Sequence, residues 1–331
     1  MVVGAGSWGT AFADYLARCD HRVKIWVREP EVFDSIQKDR ENKLFLPGVP
    51  LSANLTPVSD LEREVAGAEI VLFAVPSKYL RSIFQRLKGI VDVKPLISLS
   101  KGFESSSLKT ISQLAQEVLG GEVLDRWITL SGPSFAKELA AQFPTAVAAA
   151  SLNPSLVQEI QKLFSSATLR IYRTNDLMGV EVAGSLKNVM AIASGIVTGS
   201  GFGINTTAAL VTRATVEISR FGVRLGAKKE TFWGLAGIGD LMLTCFGSLS
   251  RNFQLGTRIA RGESLEEIER ASVMVAEGVE TTKAINKLSQ QMGVEMPITS
   301  EVYDILFSGK EPQRALQELM KRSLKSEWNI N

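Results

Sequence analysis

The chain has little of the chemistry that most often marks an active site. It carries one histidine, His21, and two cysteines, Cys19 and Cys245, in 331 residues. A single histidine excludes, by counting, His-based metal sites and the usual Ser-His-Asp triad. The cysteines stand far apart without C-x-x-C spacing, so no disulfide framework and no zinc pattern is available; no metal is expected, and both are read as buried thiols. Acid–base chemistry therefore falls to Lys, Asp, Glu or Tyr. No uninterrupted apolar run reaches the roughly 18 residues of a spanning helix, and no charged leader followed by a long apolar stretch opens the chain. A cytoplasmic protein without a membrane partner is expected. Lys and Arg total 37 against 35 for Asp and Glu, a formal charge of +2, and no basic run could serve as a nucleic-acid footprint. Repeats and low-complexity segments are lacking too.

What is present is globular, with 45% apolar and 22% charged residues in a length that suits two domains. Residues 1 to about 173 alternate short β-branched runs, at 22–27, 69–75, 95–100, 127–131, 145–150 and 169–173, with helical stretches such as 79–87, 108–119 and 154–164. That alternation predicts a doubly wound, mainly parallel sheet with helices packed on its faces. Beyond residue 172 the strand pattern stops. Helical periodicity at 176–198, 206–221, 251–261, 281–292 and 312–324 predicts an all-helical domain over 173–331. Asn175 or Asp176 would cap its first helix, which joins the two halves.

The segment GAGSWG, with Gly4, Gly6 and Gly9, follows Val2 and Val3 and opens a helix over 10–18 before a second strand. A G-x-G-x-x-G in that context aims helix N-terminal amides at a dinucleotide pyrophosphate. The first glycine permits the tight turn, the second admits phosphate to the backbone, and the third lets helix meet strand. With only Met1 to Val3 ahead of the loop, the first strand must be very short. The second strand ends at Arg28 and Glu29, where an acid would select NAD and an arginine favours the 2′-phosphate of NADP. NADP is favoured; Glu29 leaves NAD open.

In open α/β sheets ligands sit beyond the carboxyl ends of the strands. There the sequence places Pro76-Ser77-Lys78, Lys101-Gly102 and Gly132-Pro133-Ser134. Lys78 reads as a surface lysine, Lys101 as either a site ammonium or a surface charge, and Ser134 as a plain helix cap or a ligand contact. In the helical half, Val180, Ala183, Gly184, Lys187 and Ala191 share one helical face, an apolar stripe of small residues interrupted by an ammonium. Partial burial would bring the Lys187 pKa down toward that of a general base, with Asn188 beside it for a substrate hydroxyl. Asp240, closing the turn Gly237-Ile238-Gly239, either caps a helix or pairs with Lys187. Ser250, Arg251 and Asn252 open another helix and read as a small-anion site or as an ordinary cap.

Taken together, GAGSWG, Lys101-Gly102, GPSFAKE from Gly132, AGSLKN from Ala183, GIGDL from Gly237, SRN at Ser250 and VAEGVET from Val275 resemble the bacterial NAD(P)-dependent glycerol-3-phosphate dehydrogenases. The motifs run in order over the whole chain, and the short N-terminus is the one departure. The resemblance implies an N-terminal Rossmann-type sheet with a C-terminal helical domain, and reversible reduction of dihydroxyacetone phosphate to sn-glycerol 3-phosphate, a precursor of membrane phospholipids. It also implies Lys187 as proton acceptor, with Asp240 and Lys101 completing the catalytic set. The implied substrate contacts are Lys101, Gly132, Ser134, Asp240, Ser250, Arg251 and Asn252, with Asn188 as neighbour. The implied cofactor contacts are Ser7, Trp8, Arg28, Lys101, Ala136, Arg251, Val275 and Glu277. The expected partner is a phosphate-bearing small molecule; association into a homodimer stays open. The residues alone also admit a β-hydroxyacid dehydrogenase, whose substrate anion is a carboxylate, or a non-enzymatic NADP-sensing module.

Overall fold

The computed structural model describes residues 1–271, 276–324, 326 and 327. Its strands in chain order are β1 Val2–Val3, β2 Val23–Trp26, β3 Leu55–Val58, β4 Val71–Phe73, β5 Leu96–Ser98, β6 Phe103–Glu104, β7 Lys109–Thr110, β8 Trp127–Ser131, β9 Thr145–Ala150 and β10 Leu169–Thr174. All but β6 and β7 join one eight-stranded sheet, ordered β10-β9-β8-β5-β4-β1-β2-β3. Short as it is, β1 lies inside the sheet: Val3 pairs with Trp26 on one side and Phe73 on the other, and both valines are fully buried. Two residues suffice because neighbours on both flanks supply the ladder.

The strands depart from expectation in three places. β3, with Pro57 inside it, carries a residue that reads as a strand breaker, and it survives because it forms the sheet edge, where a missing N–H disrupts no central ladder. The two-residue β6 and β7 form a small antiparallel hairpin directly after Lys101-Gly102, too short for any pattern to show. Parallel pairing also stops at β8: Thr129 faces Ala150 and Ser131 faces Ala148 in antiparallel register, and β10 follows β9. The carboxyl ends of β9 and β10 therefore lie on the opposite edge from those of β1, β4, β5 and β8.

That reversal sets the course of the helix Leu177–Gly199. It starts at the far edge, where Asp176 caps it by accepting the Gly179 N–H at 2.9 Å, and it runs back along β8 toward the glycine loop. Successive contacts mark the climb: Glu181 accepts from Thr129, Gly184 packs on Ser131, and the Ser185 hydroxyl accepts the Gly102 N–H. At 23 residues and mean hydropathy 1.3 it is long and apolar enough to cross a membrane by length and composition, yet its most apolar window is wholly buried in the protein core. The embedded Glu181, Lys187 and Asn188 break its apolar run in the sequence.

Glycines let a second helix, Arg251–Ala260, cross it backbone to backbone. A Cβ on Gly195 would stand 2.0 Å from the Phe253 carbonyl oxygen, and one on Gly256 would stand 2.1 Å from that of Ile192. The close crossing brings the start of Arg251–Ala260 to the stretch that bears Lys187. Of the cysteines, Cys245 is buried as expected, whereas Cys19, at the end of the helix Ser7–Arg18, is partly exposed.

Candidate active site

The glycine loop has the geometry its spacing predicts. Gly4 adopts φ +111°, open to glycine but strained for other residues, and a Cβ there would meet the Ala74 carbonyl oxygen at 2.7 Å. A Cβ on Gly9 would fall 2.1 Å from the Gly4 oxygen, so the third glycine holds helix to strand. On Gly6 it would meet nothing within 4 Å. The open face therefore belongs to the middle glycine, at the N-cap of Ser7–Arg18, which has no side chain to cap the first-turn amides. A cradle of backbone N–H groups at a positive helix end fits a pyrophosphate. Ser7 donates its hydroxyl to Phe45 O, and Trp8 packs its ring 5.8 Å from Phe12. Ala136, first residue of the helix Ala136–Ala140, packs against the same core. Arg28 sits just past β2, paired with Glu29.

At the other end of the same edge, charge is concentrated and buried. The Asp240 carboxylate, 1% exposed, bridges two ammoniums: Lys101 Nζ lies 2.5 Å from Oδ2 and Lys187 Nζ 2.6 Å from Oδ1. Thr244, one turn on, accepts from Lys187 Nζ at 2.9 Å and donates to the Asp240 carbonyl at 2.6 Å. Ser131 donates to Oδ2 at 3.5 Å. Burial is the main force lowering the Lys187 pKa, to about 8; Asp240 opposes it and Lys101 reinforces it. Burial would raise the Asp240 carboxyl, but the two lysines together hold it below the usual carboxylate range.

The arrangement lets a proton leave without stranding a charge. With both lysines protonated the trio carries one net positive charge; when Lys187 is neutral, Asp240 still pairs with Lys101. A buried carboxylate left alone would be costly. The Lys101-Gly102 turn is set by hydroxyls: Ser100 bonds both backbone groups of Val75, and Ser185 takes the Gly102 N–H. Gly184 leaves room for Lys101, whose Cδ would stand 3.6 Å from a Cβ there. Arg251 and Glu277 join this charge field: burial raises the Glu277 carboxyl, while Arg251, Lys101 and Lys187 draw it down.

Of the two readings of Asp240, pairing is what the structure displays; Gly239 takes the N-cap position of Asp240–Phe246. Ser250 is an N-cap, accepting the Phe253 N–H. Ser134 is not: Phe135 holds the N-cap of Ala136–Ala140, and the Ser134 hydroxyl turns back to Gly132 O at 2.9 Å. Gly132, at φ +149°, is a glycine because β9 passes so close that a Cβ would lie 2.9 Å from Val147 Cα. Asn252 accepts the Gly278 N–H, and Gly278 in turn rests on the Asn188 carbonyl. Val275 lies outside the described residues. Ser131, Ser185 and Thr244 are members of the cluster that the sequence reading did not single out; Ser185 lies within AGSLKN, and Thr244 had a cue in its i+4 spacing from Asp240. Among the described residues no group of His, Cys, Asp and Glu could hold a metal ion.

A dinucleotide cradle and a buried lysine on one sheet edge, with the lysine carried by a helical half, define a nicotinamide-dependent oxidoreductase. Residues 1–157 match the NAD-dependent glycerol-3-phosphate dehydrogenase N-terminus and residues 176–317 its C-terminus. The chain belongs to that family. It is 46% identical over 327 residues to glycerol-3-phosphate dehydrogenase [NAD(P)+] of Citrifermentans bemidjiense, and 46% identical over 327 residues to that of Trichlorobacter lovleyi; each alignment covers 98% of both chains. The crystal structure of glycerol-3-phosphate dehydrogenase from Coxiella burnetii superposes with a TM-score of 0.92 at 36% identity, covering 97% of this chain and 98% of that one. The enzyme uses NAD or NADP.

Proposed function

We propose that the enzyme interconverts sn-glycerol 3-phosphate and dihydroxyacetone phosphate, with Lys187 as the general acid–base. The observation that carries this reading is the Asp240 carboxylate shared by Lys101 and Lys187. When bound, the nicotinamide supplies or accepts the hydride at substrate C2. In the oxidative direction neutral Lys187 Nζ takes the C2 hydroxyl proton, and in the reductive direction protonated Lys187 returns it to the carbonyl oxygen. Asp240 orients the Lys187 ammonium, and Lys101 keeps Asp240 charged while offering a donor to the substrate oxygen. The phosphate is held at the start of Arg251–Ala260 by Arg251, with Asn252 and Ser250 around it, and Asn188 beside Lys187 orients the substrate hydroxyl. Gly132 and Ser134 form the opposite wall.

In this reading residues 1–172 carry the cofactor and 173–331 the substrate. Gly4, Gly6, Ser7, Trp8 and Gly9 bind the pyrophosphate side, Arg28 the adenosine ribose with NADP favoured, Ala136, Val275 and Glu277 are further cofactor contacts, and Lys101 and Arg251 lie where cofactor and substrate meet. The enzyme would act in the cytoplasm, as a homodimer if it associates, and supply glycerol 3-phosphate to phospholipid synthesis. The test is loss of reduced-nicotinamide absorbance with dihydroxyacetone phosphate, run with NADPH and NADH beside a 3-keto acid. Turnover confined to the keto acid would replace this substrate with the carboxylate class; binding without turnover on either would leave a sensing module.

A further inference from the structure

The adenosine end of the cofactor edge holds, beside Arg28, two residues that the reading above leaves unused. Because β2 and β4 flank β1, the residues leaving β2 and those leaving β4 rise on either side of the glycine loop. From the first comes Arg28; from the second comes the first turn of Ser77–Leu87, with Lys78 and Tyr79. The Arg28 guanidinium carbon lies 5.3 Å from the Tyr79 ring centroid, and Lys78 Nζ lies 4.9 Å from the same centroid. Both cations also act on the phenol: Lys78 first, then Arg28 against partial burial, hold the Tyr79 hydroxyl below the usual tyrosine range. Glu29 answers only one of the two charges, binding the guanidinium through Nε at 2.9 Å and Nη2 at 2.5 Å.

We propose that Lys78 and the Tyr79 hydroxyl, with Arg28, form the recognition site for the 2′-phosphate of NADP, and that Glu29 competes with that phosphate for Arg28. The inference rests on NADP binding at this end. A ring within about 5 Å of two cations is a rigid platform on which both charges gather near its hydroxyl. A phosphomonoester bears close to two negative charges and accepts from several donors, which matches two cations and a phenol better than it matches one arginine already paired. A ribose 2′-hydroxyl would instead find the Glu29 carboxylate, an acceptor suited to it. The same four side chains thus account for the use of both cofactors: Glu29 serves NAD, and release of Arg28 from Glu29 serves NADP.

The test is calorimetric binding of adenosine 2′,5′-bisphosphate and adenosine 5′-monophosphate, which differ only in the 2′-phosphate, to the full-length protein. K78Q and Y79F are each expected to weaken the bisphosphate roughly 3- to 20-fold and to leave the monophosphate unchanged, and E29Q to tighten the bisphosphate. Equal losses on both probes would overturn the proposal by making Tyr79 a base-stacking platform alone. No change in K78Q would overturn it too. R28Q separates this result from the broader reading: if R28Q loses preference for the bisphosphate while K78Q does not, the proposal fails and NADP recognition by Arg28 stands. If neither loses it, NADP recognition at this end fails as a whole.

Discussion

The two ends of the cofactor edge work by opposite physics. The glycine loop acts through absent side chains: Gly4, Gly6 and Gly9 are defined by the space a Cβ would fill, and none of them titrates. The Asp240 cluster acts through charged side chains held away from water, with a carboxylate shared by two ammoniums. The first is a surface for binding, insensitive to pH in itself; the second is a proton store whose value depends on burial. Substitutions should therefore separate affinity from turnover according to the end they touch.

The largest effect is expected at Lys187. Acid–base catalysis is worth about 10²- to 10⁴-fold, so Lys187→Ala should lower kcat by that range while NADPH affinity, measured by fluorescence titration, stays near wild type. Its melting temperature should hold, because Asp240 keeps Lys101 as partner. Near-normal turnover would remove Lys187 from the role. A contrast inside the glycine loop comes next. Gly9→Ala forces an atom to within 2.1 Å of the Gly4 oxygen and should cost about 1–3 kcal/mol of stability along with cofactor binding. Gly6→Ala meets no protein atom and should melt as wild type does while weakening cofactor binding; an early-melting Gly6→Ala would mean the two glycines do the same job.

The smallest effect is a pH profile that sharpens the contrast. Lys187 must be neutral to accept a proton and charged to give one, and its pKa is drawn down to about 8. Oxidation of glycerol 3-phosphate should then rise about tenfold per pH unit below 8 and level above it, while reduction falls above 8. Cofactor affinity over the same range should change far less. Coincident profiles for affinity and kcat would tie both to one group and erase the distinction.

The same contrast explains what the sequence disclosed. The glycine loop is local, its three residues lie within six positions, and each geometric role followed from spacing. The sheet and the helical half were legible because alternation and 3.6-residue periodicity are local too. Strand direction was not: nothing in residues 145–150 distinguishes antiparallel pairing with β8 from parallel pairing. Lys187 and Asp240 stood out singly, but their meeting with Lys101 is made by the path of a long helix over the sheet. Ser131 carried no signal, and Ser185 and Thr244 no reading of their own, because a hydroxyl on a helix or strand reads as ordinary packing until its partner is known. Ser134 misled for a related reason, since a helix start predicts an N-cap without saying which of two adjacent residues occupies that position.

The reversal of β9 and β10 has one more consequence. Because the chain enters Leu177–Gly199 at the far edge, the stretch from Asp176 to Lys187 is a ruler whose length is set by the height of the sheet it climbs. Insertion of one residue there would advance the ammonium by about 1.5 Å and swing it by about 100°. It would then point away from Asp240 and lose its partner. Loops elsewhere on the molecule can lengthen at little thermodynamic cost; this interval has no slack, so the count of residues in it is as much a part of the active site as the lysine that ends it.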